Sequence, residues 1–167
     1  MEEELIIRPA DLDDINLIGY LAQQVWPVAY KEILSPEQLD YMMKMFYSPG
    51  SLKKQMTVNH HQFLIAEHNG DPAGFASFSQ QEDPDIYKLH KLYVLPGSHK
   101  MGIGKALLES VMDAVKAVEG KKLRLNVNRN NPAKQFYEKQ GFNILGEEDI
   151  NIGEDYYMND YIMEIKI

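Results

Sequence analysis

Apolar and polar positions repeat with two different periods along the chain, and the changes of period predict an order of strands and helices. Apolar residues recur at helical spacing from Ile15 to Val25, after Asp11, which suits a helix N-cap. A second helical stripe runs from Ile103 to Val118. The predicted helices lie within residues 11–27, 35–46, 48–58, 102–120 and 132–140. The predicted strands span residues 5–8, 62–67, 73–79, 86–95, 123–127, 142–150 and 156–167.

The order of these elements predicts one mixed α/β domain over residues 1–167. Asn69-Gly70 is a turn signal between two strands, so residues 62–79 are expected to form a hairpin. Residues 86–95 carry few breakers and many apolar side chains, which favours a central strand. With 44% hydrophobic residues the chain can bury a substantial core.

Charge and composition narrow the classes of function. The formal net charge of −8 argues against nucleic acid as a main partner, because phosphate binding needs a basic surface. The charge either attracts cationic small molecules or only keeps the protein soluble. The chain has no cysteine, which excludes a thiolate metal site or nucleophile and fits a cytoplasmic location. The acidic start Met1-Glu2-Glu3-Glu4 predicts neither a signal peptide nor a membrane segment. No His/carboxylate set shows ligand spacing, so no metal is expected.

A glycine-containing loop between the central strand and the next helix carries the first sign of chemistry. Such a loop points backbone N–H groups and a helix N-terminus at one spot, which suits an anion such as pyrophosphate. His99, Lys100 and Lys105 can add donors or charge. Ala106 and Leu107 stand where a P-loop would need Ser or Thr and a dinucleotide fold would need a third glycine. Taken alone, the glycines could serve only the shape of the loop.

Two motifs resemble those of the GNAT N-acetyltransferase superfamily. The run His99-Lys100-Met101-Gly102-Ile103-Gly104, after Val94-Leu95-Pro96, is similar to the family's Arg/Gln-x-x-Gly-x-Gly/Ala acetyl-CoA loop, with His99 in place of Arg or Gln. Residues 130–142 resemble the family's Asn-x-x-Ala-x-x-x-Tyr-Glu-Lys-x-Gly-Phe. The runs at residues 87–96, 125–130 and 156–161 are similar to bacterial spermidine/spermine-type N-acetyltransferases.

The resemblance implies a fold, a cosubstrate and a reaction. The fold is a single α/β domain with a mixed, mostly antiparallel central sheet of about seven strands and helices on both faces. The cosubstrate is acetyl-CoA. The acetyl group passes to a primary amine of a small molecule, with a polyamine as one candidate, by direct attack through a tetrahedral intermediate. A homodimer is compatible with the family.

The resemblance also assigns cofactor-binding residues. In the family, pantetheine pairs with the free edge of the central strand and the diphosphate binds the loop amides. The corresponding residues are Leu92, Tyr93, Val94, His99, Lys100, Met101, Gly102, Ile103, Gly104, Lys105, Asn130, Lys134, Tyr137 and Lys139.

Two residues are candidates for proton transfer. Tyr137 stands where the family carries its general acid, and a phenol is protonated at neutral pH. His90 is the candidate base or proton relay, because strand alternation puts it on the face of Leu92 and Val94 and because histidine titrates near neutrality. The alternatives are a packed core tyrosine and a histidine bonded to a backbone carbonyl.

An acceptor pocket for a cationic amine needs aromatic faces and a carboxylate. The residues proposed for it are Trp26, Tyr30, Tyr157, Asp160 and Tyr161. Trp26 and Tyr30 are one helical turn apart and could instead be core residues. A non-catalytic acyl-CoA sensor and a protein or peptide N-acetyltransferase remain as alternative functions, because the fold does not choose the acceptor.

Overall fold

The computed structural model describes residues 4–98 and 101–167, which form seven strands and five α-helices. The strands are β1 (Leu5–Pro9), β2 (Gln62–His68), β3 (Asp71–Gln80), β4 (Ile86–Val94), β5 (Lys122–Asn128), β6 (Asn143–Gly153) and β7 (Tyr156–Lys166). The helices are α1 (Ile15–Ala29), α2 (Pro36–Tyr47), α3 (Pro49–Thr57), α4 (Ile103–Ala117) and α5 (Ala133–Lys139). None of the helices in this described part of the chain is long and apolar enough to cross a membrane.

All seven strands belong to one sheet with the order β1-β2-β3-β4-β5-β7-β6. Neighbouring strands are antiparallel except β4 and β5, which are parallel and are connected through α4. β7 lies between β5 and β6, so the C-terminal hairpin joins the sheet through its second strand. The predicted mixed, mostly antiparallel sheet of seven strands is confirmed.

The helix boundaries follow capping rules that are visible in the sequence. Ser35 and Ser48 each accept a hydrogen bond from the backbone N–H three residues ahead, and a proline follows each of them. Asp11 caps a short 3-10 turn, Leu12–Asp14, that leads into α1. Pro27 lies inside the last turn of α1, which ends two residues later at Ala29.

Two hydrophobic cores lie on opposite faces of the sheet. The first lies under α4 and α5 and includes Leu107 and Val111. The second lies under α1, α2 and α3 and includes Ile18 and Leu52. The predicted helices on both faces are therefore confirmed, and each face buries its own apolar stripe.

The sheet opens in its middle, between β4 and β5. The two strands pair from Ile86 with Lys122 to Leu89 with Leu125, and the pairing ends there. Beyond Leu89, β4 continues along β3 while β5 turns toward β7. The gap exposes an edge of β4 at the centre of the molecule.

A β-bulge in β4 lies at the edge of this gap. Ser77 of β3 pairs with Lys91 and Phe78 pairs with Leu89, so His90 is an extra residue without a register partner. An extra residue shifts the alternation of side chains along a strand. Leu89 consequently packs into the core under α4, whereas Lys91 lies on the face of the sheet that α1, α2 and α3 cover.

Candidate active site

Two cavities meet at the gap between β4 and β5. One has a volume of about 440 Å³ and lies between the ends of these strands, the start of α4 and α5. The other has a volume of about 410 Å³ and lies between α1, α2, β4 and the β6–β7 hairpin. We call them the cofactor cavity and the acceptor cavity. The residues that line both are Tyr30, Leu89, His90, Lys91, Tyr93 and Asn126.

The start of α4 forms an anion cradle in the wall of the cofactor cavity. Gly102 has a φ of 73°, a left-handed conformation that favours glycine, and its carbonyl accepts the bond from Ala106 N at 3.0 Å. The first amides of a helix have no partner within the helix and carry the positive end of its dipole. A Cβ on Gly104 would lie 3.6 Å from Val94 Cγ2 and 3.8 Å from Phe136 Cζ, and both of those side chains line the cavity. Glycine at position 104 therefore leaves this part of the cavity wall without a side chain.

Half of the predicted cofactor residues lie in the wall of this cavity. They are Leu92, Tyr93, Val94, Gly102, Gly104, Lys105 and Tyr137.

Five of the other predicted cofactor residues lie within the described part of the chain and do not line the cavity. Ile103 is fully buried in the core, and Met101 is 46% exposed. Asn130, which precedes α5, and Lys139, the last residue of α5, are exposed. Lys134 pairs with Glu138 at 3.2 Å. His99 and Lys100 lie outside the described residues.

Several lining residues were missed by the sequence analysis. Val25 and Ala29 come from the last turns of α1, and their four-residue spacing shows that they share a face. Asn131 Oδ1 accepts a bond from Ala133 N at 2.9 Å, which holds the start of α5 beside the cavity. Phe136 and Asn126 are also among the lining residues that were missed.

Tyr137 is buried between the cavity and the core. Its ring makes edge contacts with Phe136 and Phe142, with centroids 5.3 Å and 5.5 Å away. Burial raises the pKa of the Tyr137 phenol above its ordinary value. The group is therefore protonated at neutral pH and can donate a proton into the cofactor cavity.

The bulge turns His90 away from the face predicted for it. His90 Nε2 lies 2.7 Å from Ser79 Oγ, and its ring stacks on His61 with centroids 3.8 Å apart. Leu92 and Val94 pack instead with the core under α4. The prediction that His90 shares a face with Leu92 and Val94 is wrong, because alternation breaks at a bulge.

The environment of His90 keeps its imidazole neutral. Burial lowers the pKa of His90 well below its ordinary value, and His61, Lys91 and Lys88 lower it further. A neutral imidazole can relay a proton between two groups, but it holds a proton weakly. His90 nonetheless lines both cavities.

Aromatic side chains form one wall of the acceptor cavity. The Trp26 and Tyr30 rings lie 4.6 Å apart, and Trp26 Nε1 donates to Tyr47 Oη at 3.1 Å. The hydroxyls of Tyr30 and Tyr93 are 3.0 Å apart. Trp26 and Tyr30 are buried, so they serve the core and the cavity at once.

The opposite wall of the acceptor cavity carries a buried carboxylate. Asp160 is 2% exposed and, among the described residues, is the only acid that lines this cavity. It accepts a bond from Asn126 Nδ2 at 3.2 Å, and burial raises its pKa. Tyr157 also lines the cavity and is 49% exposed. Tyr161 lies elsewhere, packed against the first core with Lys134 over its ring.

Contacts between α2 and the β6–β7 hairpin join two walls of the acceptor cavity. Tyr41 donates through its hydroxyl to the Ile152 carbonyl at 2.7 Å, and Gln38 Nε2 donates to the Tyr157 carbonyl at 3.2 Å. The Tyr41 and Tyr156 rings pack with centroids 5.3 Å apart. These contacts hold the β6–β7 hairpin against α2, and residues of both elements line the cavity.

The chain is similar to acetyltransferases in sequence and in structure. The family model described as an acetyltransferase (GNAT) domain matches residues 30–156. An uncharacterized N-acetyltransferase of Mycobacterium tuberculosis is 29% identical over 153 residues, which cover 91% of this chain and 97% of that protein. The 5-NmdU N-acetyltransferase of Pseudomonas phage PaMx11 is 27% identical over 128 residues, 76% of this chain and 89% of that one.

A solved structure extends the similarity to the whole chain. It is the PaiA N-acetyltransferase from Thermoplasma acidophilum in complex with coenzyme A. The two chains are 26% identical and superpose with a TM-score of 0.83 over 98% of this chain and 99% of that one.

Proposed function

The chain belongs to the GNAT family of acetyltransferases, and on that premise we propose that it transfers the acetyl group of acetyl-CoA to a primary amine of a small molecule. The family, N-acetyltransferase activity and acetyl-CoA as cosubstrate are confirmed predictions. The class of the acceptor and the roles of individual residues are our proposal.

One observation supports this proposed reaction most directly. Two cavities open from opposite sides onto the gap between β4 and β5, and they share a wall. A thioester seated in one cavity and an amine seated in the other would meet at the shared residues. Bringing two reactants together in a fixed geometry is a large part of catalysis of a bimolecular transfer. The anion cradle at Gly102 and Gly104 fits the diphosphate of acetyl-CoA, and the free edge of β4 fits its pantetheine arm.

The chain's own groups suit the electrostatics of acetyl transfer. Acetyl-CoA supplies an activated thioester carbonyl. We assign donation to that carbonyl oxygen to the backbone of β4 near Leu92, which lies beyond the end of the pairing with β5. We assign protonation of the departing thiolate to Tyr137, because it lines the cofactor cavity and its phenol stays protonated at neutral pH.

Two groups are candidates to take the proton from the amine. Asp160 offers a carboxylate in the wall of the acceptor cavity, with a pKa that burial raises toward the operating range. His90 suits a relay better than a terminal base, since its low pKa makes it release a proton quickly. We propose that Asp160 holds the amine and accepts its proton, and that His90 relays a proton at the shared wall.

The pocket supports a small acceptor. Its volume of about 410 Å³ lies in the range of small-molecule sites, and the contacts of Tyr41 and Gln38 with the hairpin hold two of the elements that line it together. A polyamine, suggested by the resemblance to spermidine/spermine-type enzymes, is less well supported. Among the described residues, Lys88 and Lys91 line this cavity together with a single carboxylate, Asp160, so the charges of the cavity do not favour a polycation.

A CoA-release assay over a panel of primary amines and N-terminal peptides tests the proposal. We expect amine-dependent release of CoA thiol with small amines and little with peptides. Higher rates with peptides would favour a protein N-acetyltransferase. Binding of acetyl-CoA without release on any acceptor would favour a non-catalytic sensor.

Location and assembly are further parts of the proposal. The cysteine-free composition is consistent with a cytoplasmic protein. A homodimer is compatible with the family, and light scattering of the purified chain tests it.

A further inference from the structure

A buried lysine lies in the wall of the acceptor cavity. Lys91 is 8% exposed, and its Nζ donates to Gln55 Oε1 at 2.7 Å. The same Nζ lies 5.4 Å from the ring centroid of Tyr47 and 5.6 Å from that of Phe63. Cation–π contacts of this kind stabilise a desolvated ammonium but do not neutralise it.

No carboxylate within residues 4–98 and 101–167 forms an ion pair with Lys91. An ammonium has three N–H donors, and the neutral Gln55 amide takes one of them. Burying a cation without a counter-charge costs free energy. A buried lysine without a counter-charge is therefore expected to serve a function that offsets this cost. Burial lowers the pKa of Lys91 to about 8, which leaves it protonated over unprotonated by roughly ten to one at pH 7.

Two neutral histidines lie near Lys91, and no carboxylate of the described residues forms an ion pair with it. His61 and His90 line the same cavity, and Lys91 and Lys88 both help to lower the pKa values of these histidines. His61 Nδ1 is buried without a hydrogen-bond partner among the described residues. Asp160, the acid of this cavity, is held by Asn126 on the β5–β7 wall. The cavity therefore has a cationic, donor-rich end on β4 and an anionic end on β7.

We propose that the acceptor amine also carries an anionic group, a carboxylate or a phosphate, and that this group binds the Nζ of Lys91. This inference rests on the proposed function, because it specifies the acceptor of the same site. An anion there would satisfy the spare donors of Lys91 and supply its missing counter-charge. Lys91 is then a specificity-determining residue, and a simple polyamine is a poor acceptor because it brings only positive charge to this end.

Matched acceptors test the idea with the wild-type protein. The acceptors of a matched set have the same primary aminoalkyl chain and differ only in the group at its far end. That group is a carboxylate, a phosphate, a neutral hydroxyl or a second amine. We expect kcat/KM, measured by CoA release, to be at least about tenfold higher for one of the two acidic ends than for the neutral and cationic ends. Equal or higher values for the neutral or cationic ends would overturn the inference and leave the proposed function intact.

A substitution at Lys91 tests whether this residue recognises the anionic group. Lys91→Met keeps a long apolar side chain against Tyr47 and Phe63 and removes the charge. We expect it to lower the ratio of kcat/KM for the preferred acidic amine to kcat/KM for the neutral amine by about tenfold or more, mainly through the KM of the acidic amine. Lys44→Met, at an exposed lysine of α2, is the matched control and should leave this ratio unchanged.

The remaining outcomes also decide the question. If Lys91→Met slows every acceptor by the same factor, Lys91 does not recognise an anion and the inference falls. If Lys91→Met does not fold, the wild-type comparison of matched acceptors decides alone. If no acceptor releases CoA although acetyl-CoA binds in calorimetry, the proposed function fails, and this inference fails with it.

Discussion

Replacing Gly104 with alanine should separate cofactor binding from folding. Gly104 lies in the first turn of α4, where its missing side chain leaves the anion cradle open. The added Cβ would lie 3.6 Å from Val94 Cγ2 and 3.8 Å from Phe136 Cζ, which are ordinary van der Waals distances. The folded chain should therefore accept the methyl group without rearrangement, but the methyl group should occupy space that a phosphate needs.

The substitution should affect stability and CoA affinity in different directions. Alanine is a better helix former than glycine by about 0.5–1 kcal/mol in a helix interior, so Gly104→Ala should leave the free energy of unfolding unchanged or raise it by up to about that amount. Affinity for CoA should fall at least about tenfold, which corresponds to about 1.4 kcal/mol of binding free energy.

Denaturant unfolding and calorimetry with CoA measure the two effects separately. Gly50→Ala in α3 is the matched control, because a Cβ there meets nothing within 4 Å and the site is remote from the cradle; CoA affinity should stay unchanged. Gly102→Ala provides a contrast, since its φ of 73° should make that variant lose stability by about 1 kcal/mol or more. If Gly104→Ala binds CoA as tightly as the wild type, the diphosphate does not lie on this turn and the cradle is wrongly placed.

Three further predictions concern ionisable groups. Tyr137→Phe should lower kcat about a hundredfold with CoA affinity within about twofold in calorimetry, because it removes a proton donor but little volume; an unchanged kcat would exclude Tyr137 from the mechanism. Asp160→Asn should reduce acetyl transfer yet raise the free energy of unfolding at pH 7, since folding raises the pKa of this acid; that gain should vanish as the pH falls below about 4, where the unfolded carboxyl is protonated too. Folding lowers the pKa of His61 to about 4 and that of His90 further, so the unfolded chain binds more protons below about pH 6.5 and the free energy of unfolding should fall between pH 7 and pH 5. The double variant His61→Gln/His90→Gln should flatten that fall, whereas His60→Gln should leave it unchanged; equal slopes for all three proteins would contradict the buried histidine pair.

Local rules account for the elements that the sequence analysis placed correctly. The serine caps at Ser35 and Ser48 and the Asn69-Gly70 turn act within a few residues, so their outcome does not depend on distant contacts. The glycine-containing loop before α4 was likewise predicted from its local sequence, whereas the site assignment of Tyr137 came from the family resemblance.

The features that sequence analysis missed depend on the pairing of distant segments. The bulge at His90 arises from the register between β3 and β4, which alternation along one strand cannot show. One missed feature had a local signal: Asp160 lines the acceptor cavity and its neighbour Tyr161 does not, as alternation along β7 predicts for adjacent residues. The burial of the Lys91 charge depends on the packing of α3, which brings Gln55 into contact with Lys91, and it cannot be read from the sequence.

The central claim is that an amine and acetyl-CoA meet across the gap between β4 and β5. The most direct measurement incubates the purified chain with acetyl-CoA and the panel of matched amines, and quantifies CoA thiol and N-acetylamine in the same samples. The account predicts that both products appear in equal amounts, at a rate that depends on the amine. Release of thiol without N-acetylated amine, or no release with any acceptor, would contradict it.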